Sequence, residues 1–314
     1  MGNQFNEILS DIVNAINNNY TQSDLLLGKS DRQLPVRSTV IEILDDLKQL
    51  LFPGYFSSEH IDTNNAAYYT GQKLSALHHK MKKQIALALA YDNTEDIAAT
   101  STVIQEEAET ICCNFLASIP TIQEMLLLDV QAGYDGDPAA DSREQIIFSY
   151  PGFYAIFVYR VAHELYKMKV PFIPRIMTEH AHNKTGIDIN AGATIGKYFF
   201  MDHGTGIVIG ETTVIGDYVK LYQGVTLGAL STRGGQHLSG VRRHPTIEDK
   251  VTIYSNATIL GGETVIGRES VIGGGAFITS SIPAKTRVSV TPPDLSIKND
   301  TKAEISATAY VYEI

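Results

Sequence analysis

The sequence predicts an α+β protein, in which an N-terminal all-α helical domain is followed by a C-terminal left-handed parallel β-helix. Between Gly186 and Val290, aliphatic residues recur at every sixth position and glycine follows most of them. A period of six fits neither an amphipathic helix nor an alternating strand. It is typical of hexapeptide repeats, in which each short strand forms one face of a prism. Residues 1–185 instead have the apolar spacing of helices.

The repeat predicts which side chains point into the β-helix. Every sixth side chain is expected to stack on the one a full coil away. The neighbouring glycine is expected at a corner, where the absence of a Cβ allows close backbone approach. An ordinary glycine-rich β-sandwich does not explain a constant spacing over nine to ten repeats. The predicted inward positions are Ile189, Ile195, Met201, Ile207, Ile209, Ile215, Leu221, Leu227, Leu260, Ile266, Ile272 and Ile278.

Changes in this pattern predict the domain boundaries. The helical period ends near residue 185, which predicts a helical domain over 1–185 and a β-helix over 186–290. The segment 229–244 is rich in Gly, Ser and Arg and is predicted to protrude from the β-helix as a loop. Residues 291–314 are predicted to form a polar tail. The predicted helical segments cover roughly residues 5–16, 40–51, 66–91, 96–117, 119–132 and 152–168.

Length, charge and cysteine usage limit the class of protein. A chain of 314 residues with 44% hydrophobic and 19% charged residues has the composition of a two-domain globular protein. The net charge of −10 argues against nucleic acid and an anionic membrane surface as partners. The longest apolar run, 146–159, is too short to span a bilayer, and no secretory leader opens the chain. Adjacent Cys112 and Cys113 are expected to be reduced, so a cytoplasmic protein is predicted.

His203 is the strongest candidate for a catalytic residue. It interrupts the repeat, because the spacing from Met201 to Ile209 is eight residues rather than six. A histidine on a rigid strand beside carboxylates is suited to general-base catalysis at neutral pH. Asp188 lies fifteen residues earlier, nearly one coil away, and is predicted to reach the imidazole and fix its tautomer.

Two other polar motifs each have two interpretations. Arg243 and His244 close the protruding loop, where the guanidinium suits a substrate carboxylate, although a solvated turn fits the same residues. Asp137 followed by Pro138 has the form of a helix N-cap with proline in the first turn, and this interpretation is favoured on pattern alone. The histidines of the β-helix lack the spacing of a zinc site, so no metal cofactor is predicted.

Together these motifs resemble those of the serine O-acetyltransferase family. The resemblance rests on GIDI at 186–189, DHGTGIVIGET at 202–212 and RRHP at 242–245, with a helical half before them. Hexapeptide repeats alone indicate only the broader acyltransferase superfamily. The resemblance implies acetyl transfer from acetyl-CoA to the hydroxyl of L-serine, giving O-acetylserine for cysteine synthesis, without a metal.

The resemblance also implies a role for each candidate residue. His203 is implied as the general base that takes the serine hydroxyl proton, and Asp188 as the residue that orients it. Carboxylates suit the ammonium group of serine and a guanidinium suits its carboxylate, which changes the interpretation of the Asp-Pro motif. The residues implied to bind serine are Asp137, Pro138, Asp202, Arg243 and His244. Acetyl-CoA is implied to lie between neighbouring β-helices, against Gly228, Ala229, Gly234, Gly235 and Lys285.

Further partners are expected from the same resemblance. The family is trimeric with shared sites, which implies a homotrimer or a dimer of trimers. Cysteine resembles serine and is expected as a feedback inhibitor, and the C-terminal Ile314 is expected to bind O-acetylserine sulfhydrylase. The alternatives are a homoserine or sugar acceptor, a metalloenzyme like the γ-type carbonic anhydrases, and a catalytically silent scaffold that binds the sulfhydrylase.

Overall fold

The computed structural model describes residues 2–28, 32–95 and 97–291 of the chain. Helices occupy the N-terminal part of these ranges and short parallel strands the C-terminal part, so the predicted fold class is confirmed. The last helix ends at Thr185 and the first strand begins at Asp188, beside the predicted change of period. The helices are α1 (Gly2–Gln22), α2 (Asp24–Leu27), α3 (Arg37–Leu51), α4 (Pro53–Phe56), α5 (Ala66–Asp92), α6 (Thr102–Gly136), α7 (Arg143–Ser149), α8 (Pro151–Lys167) and α9 (Ile173–Thr185).

Three parallel sheets form the faces of the β-helix, in an arrangement consistent with a left-handed coil. The first face has the strand order β1-β4-β7-β10-β13, the second β11-β8-β5-β2 and the third β14-β12-β9-β6-β3. The strands are β1 (Asp188–Ile189), β2 (Thr194–Ile195), β3 (Phe200–Asp202), β4 (Val208–Ile209), β5 (Val214–Ile215), β6 (Lys220–Tyr222), β7 (Thr226–Gly228), β8 (Thr246–Ile247), β9 (Thr252–Ile253), β10 (Thr258–Leu260), β11 (Val265–Ile266), β12 (Val271–Ile272), β13 (Phe277–Ile278) and β14 (Arg287–Val288).

Aliphatic ladders run through the interior of the coil, as the repeat predicts. On the first face, Ile209 pairs with Leu227, which pairs with Ile259 on the next coil. These side chains are fully or almost fully buried. The prediction that Leu260 points inward is wrong, because Leu260 pairs with Gly228 and Ile259 takes the inward position. The step from Ile259 to Ile266 is therefore seven residues instead of six. The extra residue is accommodated at Gly261, whose φ is 106°.

The helical half differs from the sequence prediction at Pro120. Helix α6 runs from Thr102 to Gly136 without interruption, although two segments separated near residue 118 were predicted. Proline removes one hydrogen bond from a helix interior, but buried packing on both sides offsets this cost. Ile119 and Ile122, which flank the proline, are both buried in the core.

Helix α6 is also long and apolar enough, by length and composition, to cross a membrane. It packs against α5 and α8 and against strand β3 of the β-helix. Its side chains at Phe115 and Leu126 are fully buried in these contacts. We therefore interpret α6 as a core helix of the helical half.

Helix α8 joins the two halves by fitting onto the first coil of the β-helix. The Tyr159 hydroxyl donates to the backbone oxygen of Ala193 at 2.5 Å. The Arg160 guanidinium donates to Asp129 of α6 at 2.5 and 2.8 Å and to the backbone oxygen of Gly196 at 2.9 Å. These buried contacts hold α6, α8 and the first coil in one arrangement, which positions the candidate site.

Candidate active site

A cavity of about 370 Å³ lies where the corner between α7 and α8 meets the end of strand β3. It brings together three of the predicted site residues, Asp137, Asp202 and His203, although Asp137 is remote from the other two in sequence. The cavity is lined by Asp137, Ser149, Tyr150, Pro151, Gly152, Met201, Asp202 and His203. Two carboxylates and an imidazole therefore face one space.

The backbone at His203 leaves the regular coil. His203 has a φ of 58°, and Gly204 and Gly206 each have a φ of 80°. A similar φ recurs at ordinary corners such as Tyr198 and Tyr218, so the turn at His203 differs by its two extra residues, which account for the eight-residue spacing seen in the sequence. The His203 side chain is 72% exposed, and its Nδ1 lies 3.7 Å from Oδ1 of Asp202. The imidazole is thus presented to solvent beside a half-buried carboxylate.

Asp137 is held by two hydrogen bonds at the opposite side of the cavity. The Tyr150 hydroxyl donates to its Oδ2 at 2.6 Å, and the backbone N–H of Ala139 donates to its Oδ1 at 2.8 Å. The hydrogen bond from Tyr150, and to a smaller extent that from Ala139, lowers the pKa of Asp137 below its ordinary value. Burial and the same hydrogen bond raise the pKa of Tyr150 to about 12. Asp137 follows the end of α6, so the prediction that it is a helix N-cap is wrong; Ser142 caps the next helix.

A glycine allows the two walls of the cavity to meet. Gly152 lies in the first turn of α8, and a Cβ at this position would lie 2.7 Å from the backbone oxygen of Met201. Any larger residue would push α8 away from β3. Because Tyr150 and Pro151 directly precede Gly152, this close approach also sets where the Tyr150 hydroxyl reaches.

Asp188 and Pro138 lie outside the lining of the cavity. Asp188 is in β1, paired with Val208 of β4, and its carboxylate makes no hydrogen bond or ion pair with His203 in the described structure. Pro138 lies in the exposed turn after Asp137. The orienting role implied for Asp188 therefore stays a prediction.

Arg243 and His244 lie at a different corner of the prism. His203 is in the turn between the third and first faces, whereas the loop 229–244 leaves and rejoins the coil between the first and second faces. The Arg243 Nη2 donates to Glu211 at 2.5 Å, and Tyr166 donates to the same carboxylate at 3.1 Å. Within one chain, the predicted serine-binding residues thus form two separate groups.

His244 is a buried residue at this second corner. Its Nδ1 accepts from the Thr212 backbone N–H at 3.1 Å and lies 2.9 Å from the Thr212 hydroxyl. Burial, with a smaller contribution from Arg243, lowers the pKa of His244 below its ordinary value. The ring fits against Gly210, where a Cβ would lie 2.1 Å from its Cδ2. His244 therefore fixes the base of the loop that carries Arg243.

The residues implied for the cofactor surround the protruding loop and the end of the β-helix. Gly228 ends β7, Ala229 begins the loop, and Gly234 and Gly235 precede and begin a short 3-10 helix within it. Lys285 lies near the last coil, with its Nζ 3.7 Å from Glu269. Ile314 lies outside the described residues.

Two polar residues of the site were missed in the sequence. Tyr150 contacts Asp137 across 13 positions, and Glu211 holds Arg243 across 32 positions. Glu211 belongs to the GET of the repeat motif, which was a signal in the sequence. No local pattern distinguishes Tyr150 from the other aromatic residues around it, because its role depends on the corner between α7 and α8.

The chain is similar to a known protein family and to several solved structures. A family model described as serine acetyltransferase, N-terminal, matches residues 70–157. Among solved structures, serine acetyltransferase isoform 3 of Entamoeba histolytica in complex with cysteine has a TM-score of 0.70 at 33% identity, covering 94% of this chain and 96% of that chain. A serine acetyltransferase of Brucella abortus in complex with coenzyme A has a TM-score of 0.52 at 27% identity, covering 80% and 93%.

The sequence relationship extends through both halves of the chain. A plasmid-encoded serine acetyltransferase of Synechococcus elongatus is 41% identical over 271 residues, which cover 84% of this chain and 84% of that protein. An alignment of this length includes the helical half as well as the hexapeptide repeats. The chain therefore belongs to the serine acetyltransferase family.

Proposed function

We propose that this protein transfers the acetyl group of acetyl-CoA to the hydroxyl of L-serine, releasing CoA and O-acetylserine. The observation that carries the proposal is the cavity in which Asp137 and Asp202 face His203. Two carboxylates suit the ammonium group of an amino acid, and an exposed imidazole beside them suits a hydroxyl that must lose a proton. The curated relative and the solved neighbours are serine acetyltransferases, and one is complexed with coenzyme A.

His203 acts as the general base in this proposal. The serine oxygen attacks the thioester carbonyl carbon while the imidazole takes the hydroxyl proton. The carbon–sulfur bond then breaks, and the thiolate of CoA takes the proton back from the imidazolium. The two extra residues of the turn at His203 and the exposure of its side chain support this role, because the imidazole lies open to solvent beside Asp202.

The substrate ammonium is bound by Asp137 and Asp202. Asp137 is ionised at neutral pH, since its pKa lies below its ordinary value. A sugar acceptor would have no positive charge to place between these carboxylates, so the site favours an amino acid. Homoserine carries the same ammonium and carboxylate as serine, and only the length of its side chain distinguishes it.

Arg243 is proposed to bind the substrate carboxylate from a neighbouring copy of the chain. It lies at a different corner of the prism from His203, so the two meet only if a second β-helix packs alongside. A cyclic homotrimer brings one corner of each copy against a different corner of the next. Acetyl-CoA would then lie in the groove between the copies, near the 229–244 loop. Assembly into a dimer of trimers stays a prediction.

Cysteine is proposed as an inhibitor that occupies the serine site. It carries the same ammonium and carboxylate groups as serine, and the neighbour from Entamoeba histolytica is complexed with cysteine. Binding of the sulfhydrylase through Ile314 remains a prediction. Deletion of Ile314 should abolish that binding, and unchanged affinity would contradict it.

The reaction and its base are tested together by following CoA thiol release from acetyl-CoA. With L-serine, the parent protein should release CoA, and His203→Ala should lower kcat by about 10²–10⁴-fold, the usual contribution of general-base catalysis. Homoserine and an assay without acceptor are run alongside. His79→Ala, which alters an exposed histidine in α5, is the matched control and should retain activity. Equal release with and without serine would contradict the proposed function.

A further inference from the structure

A second group of potential metal ligands lies in the helical half, between α5 and α6. His78, Glu109 and Cys113 each offer one ligand atom, and these atoms all lie within 4.8 Å of one another. The His78 Nε2 is 2.8 Å from Glu109 Oε1, and the Cys113 Sγ is 3.5 Å from the same oxygen. Neither the cavity at His203 nor the corner at Arg243 includes any of the three.

The ligand geometry is set by packing beneath the group. Glu109 and Cys113 are four residues apart on α6, so their side chains share one face of the helix. His78 faces them from α5, and the layer below contains Leu77 and Cys112, which are almost completely buried. The Cys112 Sγ donates to the backbone oxygen of His78 at 3.6 Å, so α5 and α6 are in direct contact at this level. The three ligands are therefore presented by a preformed surface.

The donor set matches a soft divalent metal such as zinc. Thiolate, imidazole and carboxylate are the three ligand types that zinc takes, at bond lengths of about 2.0–2.3 Å. Ligands of a tetrahedral ion at those lengths lie roughly 3.3–3.8 Å from one another. The 3.5 Å between Cys113 and Glu109 already fits this range, whereas the 2.8 Å hydrogen bond between His78 and Glu109 must lengthen as the ion enters. Cys113 is exposed, so water can occupy the fourth position.

We propose that His78, Glu109 and Cys113 form a zinc site that links α5 to α6, separate from the acetyl-transfer site. Binding forms one bond from each ligand atom to the ion. The Cys113 thiol loses its proton to solvent, because the thiolate is the ligand. Lys82 Nζ lies 2.7 Å from Glu109 Oε2, the oxygen on the other side of the carboxylate from His78 and Cys113, so it places a positive charge beside the ion. Lys82 therefore competes with the metal for the same carboxylate.

Cobalt titration of the full-length reduced protein tests the site, since cobalt(II) bound to a thiolate gives a charge-transfer absorption band. The parent protein should develop this band, and added zinc should remove it. Cys113→Ser should abolish the band, whereas Cys112→Ala should keep it. Loss of even an outer partner of a metal ligand typically lowers affinity about 10- to 100-fold, so His78→Gln should weaken binding at least about tenfold. His79→Gln is the matched control and should bind as the parent does.

A variant of Lys82 gives a second, independent measurement in the same titration. Lys82→Met should tighten cobalt binding at least severalfold, because Glu109 loses its cationic partner. A gain of affinity cannot come from a variant that fails to fold. Absence of the band in the parent would mean that the cluster is an ion-pair network alone. A band that persists in Cys113→Ser, unchanged affinity in Lys82→Met, or equal losses in the two histidine variants would likewise overturn the proposal.

Discussion

At the scale of single residues, the hydrogen bond between Tyr150 and Asp137 matters most for the proposed binding of serine. It joins the corner before α8 to the turn after α6, and it is the first cause of the lowered pKa of Asp137. A carboxylate that binds an ammonium group must stay ionised in the working range of pH. Tyr150 therefore has a positioning role and an electrostatic role.

Tyr150→Phe should raise the KM for serine, most strongly at acid pH. Without the hydroxyl, the pKa of Asp137 rises toward its ordinary value, so the carboxylate is protonated sooner as pH falls. One hydrogen bond of about 0.5–1.5 kcal/mol corresponds to roughly a two- to tenfold increase in KM. The measurement is kcat/KM for serine against pH. Tyr154→Phe, one turn into α8, should leave the KM for serine at its parent value at each pH, and an unchanged KM in Tyr150→Phe would contradict the assigned role.

The sequence identified some of these residues because they belong to local motifs. His203 interrupts a regular repeat, so it was found from spacing, whereas Asp202 beside it was assigned to the serine site through the family resemblance. Asp137 was favoured as a helix cap on pattern alone, and only the family resemblance pointed to substrate. Tyr150 could not be found, because its contact depends on how α7 and α8 meet.

At the scale of elements, one buried ion pair connects α6, α8 and the first coil. The side chains of Asp129 and Arg160 are 1% and 6% exposed, and they are joined by two hydrogen bonds. Asp129 also accepts from the backbone N–H of Phe199 at 2.9 Å. Removing one partner would leave a buried charge without compensation, which is costly.

Arg160→Met should lower the free energy of unfolding by about 3–5 kcal/mol, the usual cost of breaking a buried pair. Denaturant titration with linear extrapolation measures this change. Arg175→Met is the matched control, since Arg175 pairs with Glu179 on the surface of α9 at 2.5 Å. Exposed pairs contribute about 0–1 kcal/mol, so the control should stay within that range. Equal losses in the two variants would show that the buried pair does not hold the elements together.

Element prediction succeeded where the local pattern agrees with packing. The predicted helix over 152–168 is α8, Pro151–Lys167, because its apolar face is continuous in sequence and in the core. The prediction failed at Pro120, because α6 continues past this proline, which usually ends a helix, and its neighbours on both sides are buried. It also failed at Leu260, since one extra residue near Gly261 shifts the inward position to Ile259.

At the scale of the whole molecule, the predicted order of a helical half followed by a β-helix is confirmed. The corner of the prism at which each candidate residue lies could not be predicted from the sequence. The two extra residues after Met201 and the protruding loop lie at different corners. A hexapeptide repeat predicts that the β-helix has corners. It does not predict which corner of one copy contacts which corner of its neighbour in an assembly. The proposal that a second copy completes the site is an inference from this separation.

Mixed assemblies of two inactive variants test whether His203 of one copy and Arg243 of its neighbour form one site. His203→Ala and Arg243→Ala chains are co-expressed with different tags, and the doubly tagged trimers are assayed for serine-dependent release of CoA. In the proposed trimer, each mixed assembly would contain one junction where an intact His203 meets an intact Arg243 of its neighbour, so about one third of its sites should be active. Activity should return to roughly this fraction of the parent value, although each variant alone is inactive. No recovery in the mixed trimers would place both residues of a working site in the same chain and would contradict the account.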